Sequence, residues 1–195
     1  MVGHFSLLRE KYVLENGRVR MGKMIKSKSF QSLFLSLLLI ICLSTIPYKK
    51  ALTFQLENTG KVLVYIPLGE NPEFKIKYTH SIHLSDVVES YKITTKDEIK
   101  QVELEFSDFS IGMPENASDG EIFEQKNGKY YIKNMNRLFP YFDLRTGKVR
   151  ANHTVMFNNK NYPLNEYIEP GTWVRIKVTK MNLYQQWKGV NIIGG

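Results

Sequence analysis

Two different hydrophobic patterns divide the chain. Residues 30–46, FQSLFLSLLLIICLSTI, form one apolar run without a charge. From Leu52 onward the pattern is period two, broken by turn-forming residues. The first pattern predicts a membrane-crossing helix: at about 1.5 Å per residue it spans about 25 Å, a little less than a hydrocarbon core. The second predicts half-buried strands, apolar inward and polar outward. Phe74, Ile76, Tyr78 and His80 alternate with polar residues, as do Val102, Leu104 and Phe106, then His153, Val155 and Phe157, then Val174, Ile176 and Val178.

Turn chemistry punctuates these runs at Asn58-Thr59-Gly60, Thr146-Gly147, Asn158-Asn159 and Pro170-Gly171. Asn127-Gly128 lies between two short aromatic and aliphatic runs and predicts a hairpin with a type I′ turn. About nine or ten short strands at this spacing predict an all-β domain, an antiparallel β-sandwich or small barrel, preceded by one N-terminal transmembrane helix. A single helical turn is expected near residues 134–138, and the tail 181–195 reads as a short helix or a strand end.

Charge sharpens the division. The chain has a formal net charge of +8. Nine Lys/Arg against two Asp/Glu lie in residues 1–50, and eighteen against seventeen in the rest. The basic excess therefore belongs to the N-terminal end, and the later domain shows no basic stripe with interleaved aromatics, so no nucleic acid is expected as a partner. Arg18, Arg20, Lys23, Lys26 and Lys28 precede the apolar run, and only Lys49 and Lys50 follow it closely. Basic residues collect on the cytoplasmic side of a span, which predicts a single-pass protein of the cell membrane with its domain on the extracytoplasmic side. The expected division is 1–29 as a cytoplasmic basic tail, 30–48 as the membrane anchor and 52–195 as the outer domain. Met24 is a second candidate start within the tail.

The end of the apolar run, Ser44-Thr45-Ile46-Pro47-Tyr48, lacks a small-residue cleavage pattern, which favours a retained anchor over a cleaved signal. Cys42, the single cysteine, lies inside that run behind the bulky Ile41, an unsuitable setting for lipid attachment. The outer domain thus has neither a disulfide nor a thiolate metal site, and no metal or cofactor is expected.

Candidate chemistry concentrates in residues 78–91. The alternation puts Tyr78 and His80 on the core face of one strand and Glu89 and Tyr91 on the core face of the next. A buried carboxylate needs hydrogen-bonded company, so the phase predicts a polar cluster of Tyr78, His80, Ser81, Glu89 and Tyr91, with His80 meeting Glu89. It serves either to fix the hairpin or to bind a ligand. Ser81 and His80 point to opposite faces, which speaks against a Ser-His-acid triad. A metal site from His80, His83 and Glu89 lacks recognised ligand spacing. A second candidate is the bend Gly112-Met113-Pro114 with the polar loop through Gly120. Asn116-Ala117-Ser118 and Asn152-His153-Thr154 fit a glycosylation pattern that matters only on a eukaryotic secretory route.

Taken together, Tyr78, His80 and Ser81, the acid at Glu89, the Gly112–Pro114 bend and Gly120 resemble the domain of unknown function 1850, over about residues 72–180. That resemblance implies a small envelope protein, often encoded beside TAXI-type TRAP transporters, and assigns no reaction and no catalytic residue. The expected function is a membrane-anchored extracytoplasmic accessory or binding domain. Its expected partners are the membrane through residues 30–48, transporter subunits, or a small carboxylate-bearing solute. The rivals are an envelope hydrolase using His80 and Glu89, and a purely structural envelope protein.

Overall fold

The computed structural model describes residues 28–70, 72–80, 84–108, 114, 116–148 and 151–194. It divides into two units, one ending at Leu43 and one spanning Ser44–Gly195.

The first unit contains most of helix α1, Lys28–Thr45, which buries none of its residues. It is long and apolar enough to cross a membrane. Its polar side chains suit that setting: Ser32 Oγ donates to Ser29 O at 3.0 Å and Ser36 Oγ to Leu33 O at 2.8 Å. Such back-bonding satisfies a hydroxyl where no water is available.

The second unit is a β-sandwich. Its strands are β1 (Lys49–Leu56), β2 (Val62–Pro67), β3 (Glu73–Thr79), β4 (Asp86–Ile93), β5 (Ile99–Phe106), β6 (Ile122–Lys126), β7 (Lys129–Phe139), β8 (Phe142–Arg145), β9 (Thr154–Phe157), β10 (Lys160–Pro163), β11 (Trp173–Met181) and β12 (Val190–Asn191). One sheet has five strands in the order β12-β2-β1-β11-β8, the other seven in the order β10-β9-β3-β4-β5-β7-β6. Neighbours are antiparallel throughout except β12, which runs parallel to β2.

The two sheets share one core. Leu52, Phe54, Val64, Ile66, Val174 and Ile176 of the smaller sheet pack with Phe74, Ile76, Tyr91, Ile93 and Val155 of the larger. A second cluster, Val87, Leu104, Phe106, Ile132 and Met135, continues along the inner face of the larger sheet. Burying a large apolar side chain contributes about 1.5–3 kcal/mol, so these shared residues hold the layers together.

Asn127 and Gly128 both have positive φ, 53° and 75°, and join β6 to β7 by the expected type I′ turn. Asn158 and Asn159 (φ 50° and 60°) do the same between β9 and β10. Two sequence expectations fail at one irregularity. Residues 134–138 form no helical turn, because β7 runs unbroken through them. Asn134 takes a left-handed φ of 57° where the register against β5 shifts between Gln101 and Glu103. This bulge changes which residues of β5 face inward. Ile99 and Gln101 are buried before it, Leu104 and Phe106 after it, and Val102 is left on the other face. The tail contains both expected elements: helix α2 (Leu183–Lys188), then β12.

Candidate functional site

Register decides what surrounds Glu89. Across the larger sheet, one rung of directly paired residues reads Tyr162, Val155, Ile76, Glu89, Leu104, Ile132 and Phe123. Six strands contribute an apolar or aromatic side chain to this inward rung, and β4 contributes a carboxylate. Glu89 is half-buried there.

Two phenols satisfy it. Tyr91 hydroxyl donates a short hydrogen bond to Glu89 Oε2, and Tyr78 hydroxyl donates a longer one to Oε1 at 3.4 Å. Tyr91 is two residues along the same strand, hence on the same face. Its ring is held between Phe74 of β3 (centroids 5.0 Å apart) and Phe142 of β8 in the opposite sheet (5.2 Å), both stacked at 15°. This stack fixes the rotamer that aims the hydroxyl at Glu89. Tyr78, diagonal to Glu89 across β3 and β4, packs against both core clusters.

Burial, and then the neighbouring Glu89 carboxylate, push both phenols well above the ordinary tyrosine range. They are therefore dependable donors at any physiological pH. The two phenols orient the Glu89 carboxylate, and each of its oxygens keeps a further lone pair for another donor.

The sequence pattern placed His153 on the inward face of its run without singling it out as a functional residue. It lies just before β9, and its ring stands 5.4 Å from that of Tyr78. Its Nδ1 accepts from Gly147 N at 3.2 Å, which leaves Nε2 to carry the proton in the neutral ring. Burial holds this imidazole below the ordinary histidine range. The available signal was the same as for His80, a histidine in phase with apolar neighbours. The sheet order, which brings β9 beside β3, was not visible in that signal.

His80 follows β3, is half-buried, and closes the β3–β4 connection through its backbone: its N donates to Ser85 O at 2.8 Å, and its O accepts from Leu84 N at 3.0 Å. Ser81, His83 and Gly112 lie outside the described residues. Pro114 is half-buried, and Gly120 has the positive φ of 84° that favours glycine. The loop at Gly120 is pinned by Glu121, whose carboxylate accepts from Ser118 N and pairs with Arg137 at 3.2 Å. Among the described residues no group of three or more His, Cys, Asp or Glu could hold a metal.

A cavity of about 650 Å³ is lined by Lys75, Ser90, Val102, Met156 and Asn158, and also by Phe74 and Tyr91. Met156, Lys75, Ser90 and Glu103 are paired in one outward rung. The cavity opens over the small Ser90 at the bulge. Size alone points there, but the perturbed phenols and imidazole point to the inner cluster, and chemistry is the better guide. A smaller cavity of about 180 Å³ adjoins His153 and is lined also by Thr146, Gly147, Asn152 and Leu164.

Residues 74–164 match the family model described as Domain of unknown function (DUF1850), so the chain resembles that family over the segment that contains β3 to β10 and the whole Tyr78–Glu89–Tyr91–His153 group. No curated protein and no solved structure gives a significant match.

Proposed function

We propose that the chain is a membrane-anchored extracytoplasmic accessory domain that binds a partner and performs no chemistry of its own. The observation that carries this reading is the state of Glu89. It occupies the inward rung of a sheet, is satisfied by uncharged donors, and remains half-buried together with Tyr78 and His153. A recognition site needs fixed acceptors and rings at an accessible position, and this group supplies them. Such an acceptor-rich group suits a partner that brings hydrogen-bond donors, and this favours a protein surface over a carboxylate-bearing solute. The transporter subunits implied by the family resemblance are the proposed partner. The apolar helix and the preceding basic residues support residues 30–48 as the anchor, with the sandwich outside.

Two measurements test this. A C-terminal tag on the full chain should be digested by protease added to cells with a permeable wall, and full protection would overturn the topology. Transporter subunits should co-purify with the native chain, and Glu89→Gln, close in shape, should reduce their recovery without a large loss of thermal stability. Unchanged recovery with a large drop in melting temperature would favour a purely structural cluster.

A further inference from the structure

The C-terminal helix α2 is amphipathic in the reverse sense for a surface helix. Its two glutamines are half-buried and bond back to the N-cap: Gln185 Oε1 accepts from Asn182 N at 3.0 Å, Asn182 Oδ1 accepts from Gln185 N at 2.8 Å, and Gln186 Nε2 donates to Asn182 O at 3.2 Å. Tyr65 hydroxyl also reaches Gln186 O at 3.4 Å. Its apolar residues face out. Leu183, Tyr184 and Trp187, one or two turns of the same face, are exposed, and Trp187 is 75% exposed. A helix normally buries this face. The reciprocal capping by Asn182 and Gln185 keeps the helix ordered, so the exposed rings are held in place.

The position of α2 indicates what covers them. Helix α1 ends at Thr45, and β1 starts at Lys49. Tyr48 N donates to Met181 O at 3.1 Å, and Asn182 Nδ2 donates to Thr45 O at 3.2 Å. The reversed helix is thus tied to the few residues by which the chain leaves its apolar helix. Around it lie the exposed Tyr48 and the exposed lysines Lys49, Lys180 and Lys188. Lys188 Nζ sits 4.6 Å from the Trp187 ring centre and 5.9 Å from that of Tyr184. Tryptophan and tyrosine with neighbouring lysines is the composition of the membrane–water interface: rings at headgroup depth, ammonium groups on lipid phosphate.

We infer that α2 and Tyr48 form a lipid-binding surface that seats this edge of the sandwich on the bilayer. The inference rests on the anchor proposed above and adds a second, peripheral contact. It also orients the domain, since Trp173 begins β11 and Met181 ends it next to α2.

The two tryptophans make the test internal. The full chain is reconstituted into vesicles of phosphatidylcholine with phosphatidylglycerol and no other protein, as Trp173→Phe and, separately, Trp187→Phe. Both tryptophans are exposed, so either replacement leaves the core intact. Phospholipid brominated high on the acyl chain should quench Trp187 by about two-fold and leave Trp173 within about a tenth of its unquenched intensity. Trp187 open to acrylamide and untouched by brominated lipid would overturn the surface. So would equal lipid quenching of both tryptophans. Flotation after a carbonate wash separates the two claims. A chain that floats with Trp187 unquenched refutes the α2 surface alone, and a chain that fails to float refutes the anchor and the surface together.

Discussion

The two faces of the seven-stranded sheet satisfy their carboxylates in opposite ways. On the outer face Glu73 pairs with Lys92, Asp86 with Lys77, Glu105 with Lys129 and Glu124 with Lys133, at 2.5–2.6 Å, each across neighbouring strands. On the inner face Glu89 has two phenols. The outer pairs exchange one hydrated charge for another and can be rearranged at little cost. Glu89 has given up part of its water, and its partner Tyr91 is locked between stacked rings. A carboxylate on the outside therefore decorates a sheet, while one on the inside commits the layers around it to one arrangement.

The contrast breaks most directly through paired truncations. Glu89→Ala leaves the buried Tyr91 and the half-buried Tyr78 without their acceptor and should lower stability by about 2–4 kcal/mol. Glu105→Ala, on the next strand and the opposite face, should cost about 0.5 kcal/mol. Thermal unfolding of the full chain in detergent measures both, and equal losses would erase the distinction between the faces. The coupling is the next largest effect. A double-mutant cycle of Glu89→Ala with Tyr91→Phe should give an interaction of about 1–2 kcal/mol, against less than about 0.5 for Glu73→Ala with Lys92→Ala.

A third measurement concerns the phenols alone. Spectrophotometric titration should leave Tyr78 and Tyr91, of eleven tyrosines in the chain, protonated until the fold is lost. Because their folded values are raised, the stabilisation they add is fully present below about pH 10 and is lost as pH rises beyond it. Release of all eleven in one early step would show that Tyr78 and Tyr91 are open to water.

Local periodicity made the faces legible and left the partners hidden. Phe74, Ile76 and Tyr78 announce their strand, Asn127-Gly128 its hairpin, and Glu89 its inward phase, because each is written in residues one or two positions apart. The bulge at Val102 was not legible. It depends on β5 meeting β7 out of step, and Asn134 reads equally well as a helical turn. The pairing of Glu89 was legible only in part. Tyr91 is on its own strand and within local reach, but the stacking of Phe142 on Tyr91 and the arrival of His153 depend on which strands become neighbours. The reversed face of α2 was hidden for the same reason: Leu183, Tyr184 and Trp187 look like a core stripe until Gln185 and Gln186 are seen to take the inward side.

The smallest effect tests whether the inner cluster extends to His153. Burial lowers its folded value below the ordinary histidine value of about 6.5. The unfolded chain then binds a proton more readily than the folded one as pH falls through that value. The stabilisation is complete above it, declines through the window just below it, and levels off once the folded ring is protonated too. Protonation at Nδ1 would also remove the acceptor used by Gly147 N. Melting temperature measured between pH 7.5 and 5 should therefore slope downward toward acid, and His153→Asn should flatten that slope while Lys77→Gln, on the outer face, leaves it unchanged. A slope that survives the loss of His153 would place the acid-sensitive group elsewhere and confine the committed inner cluster to Glu89 and its two tyrosines.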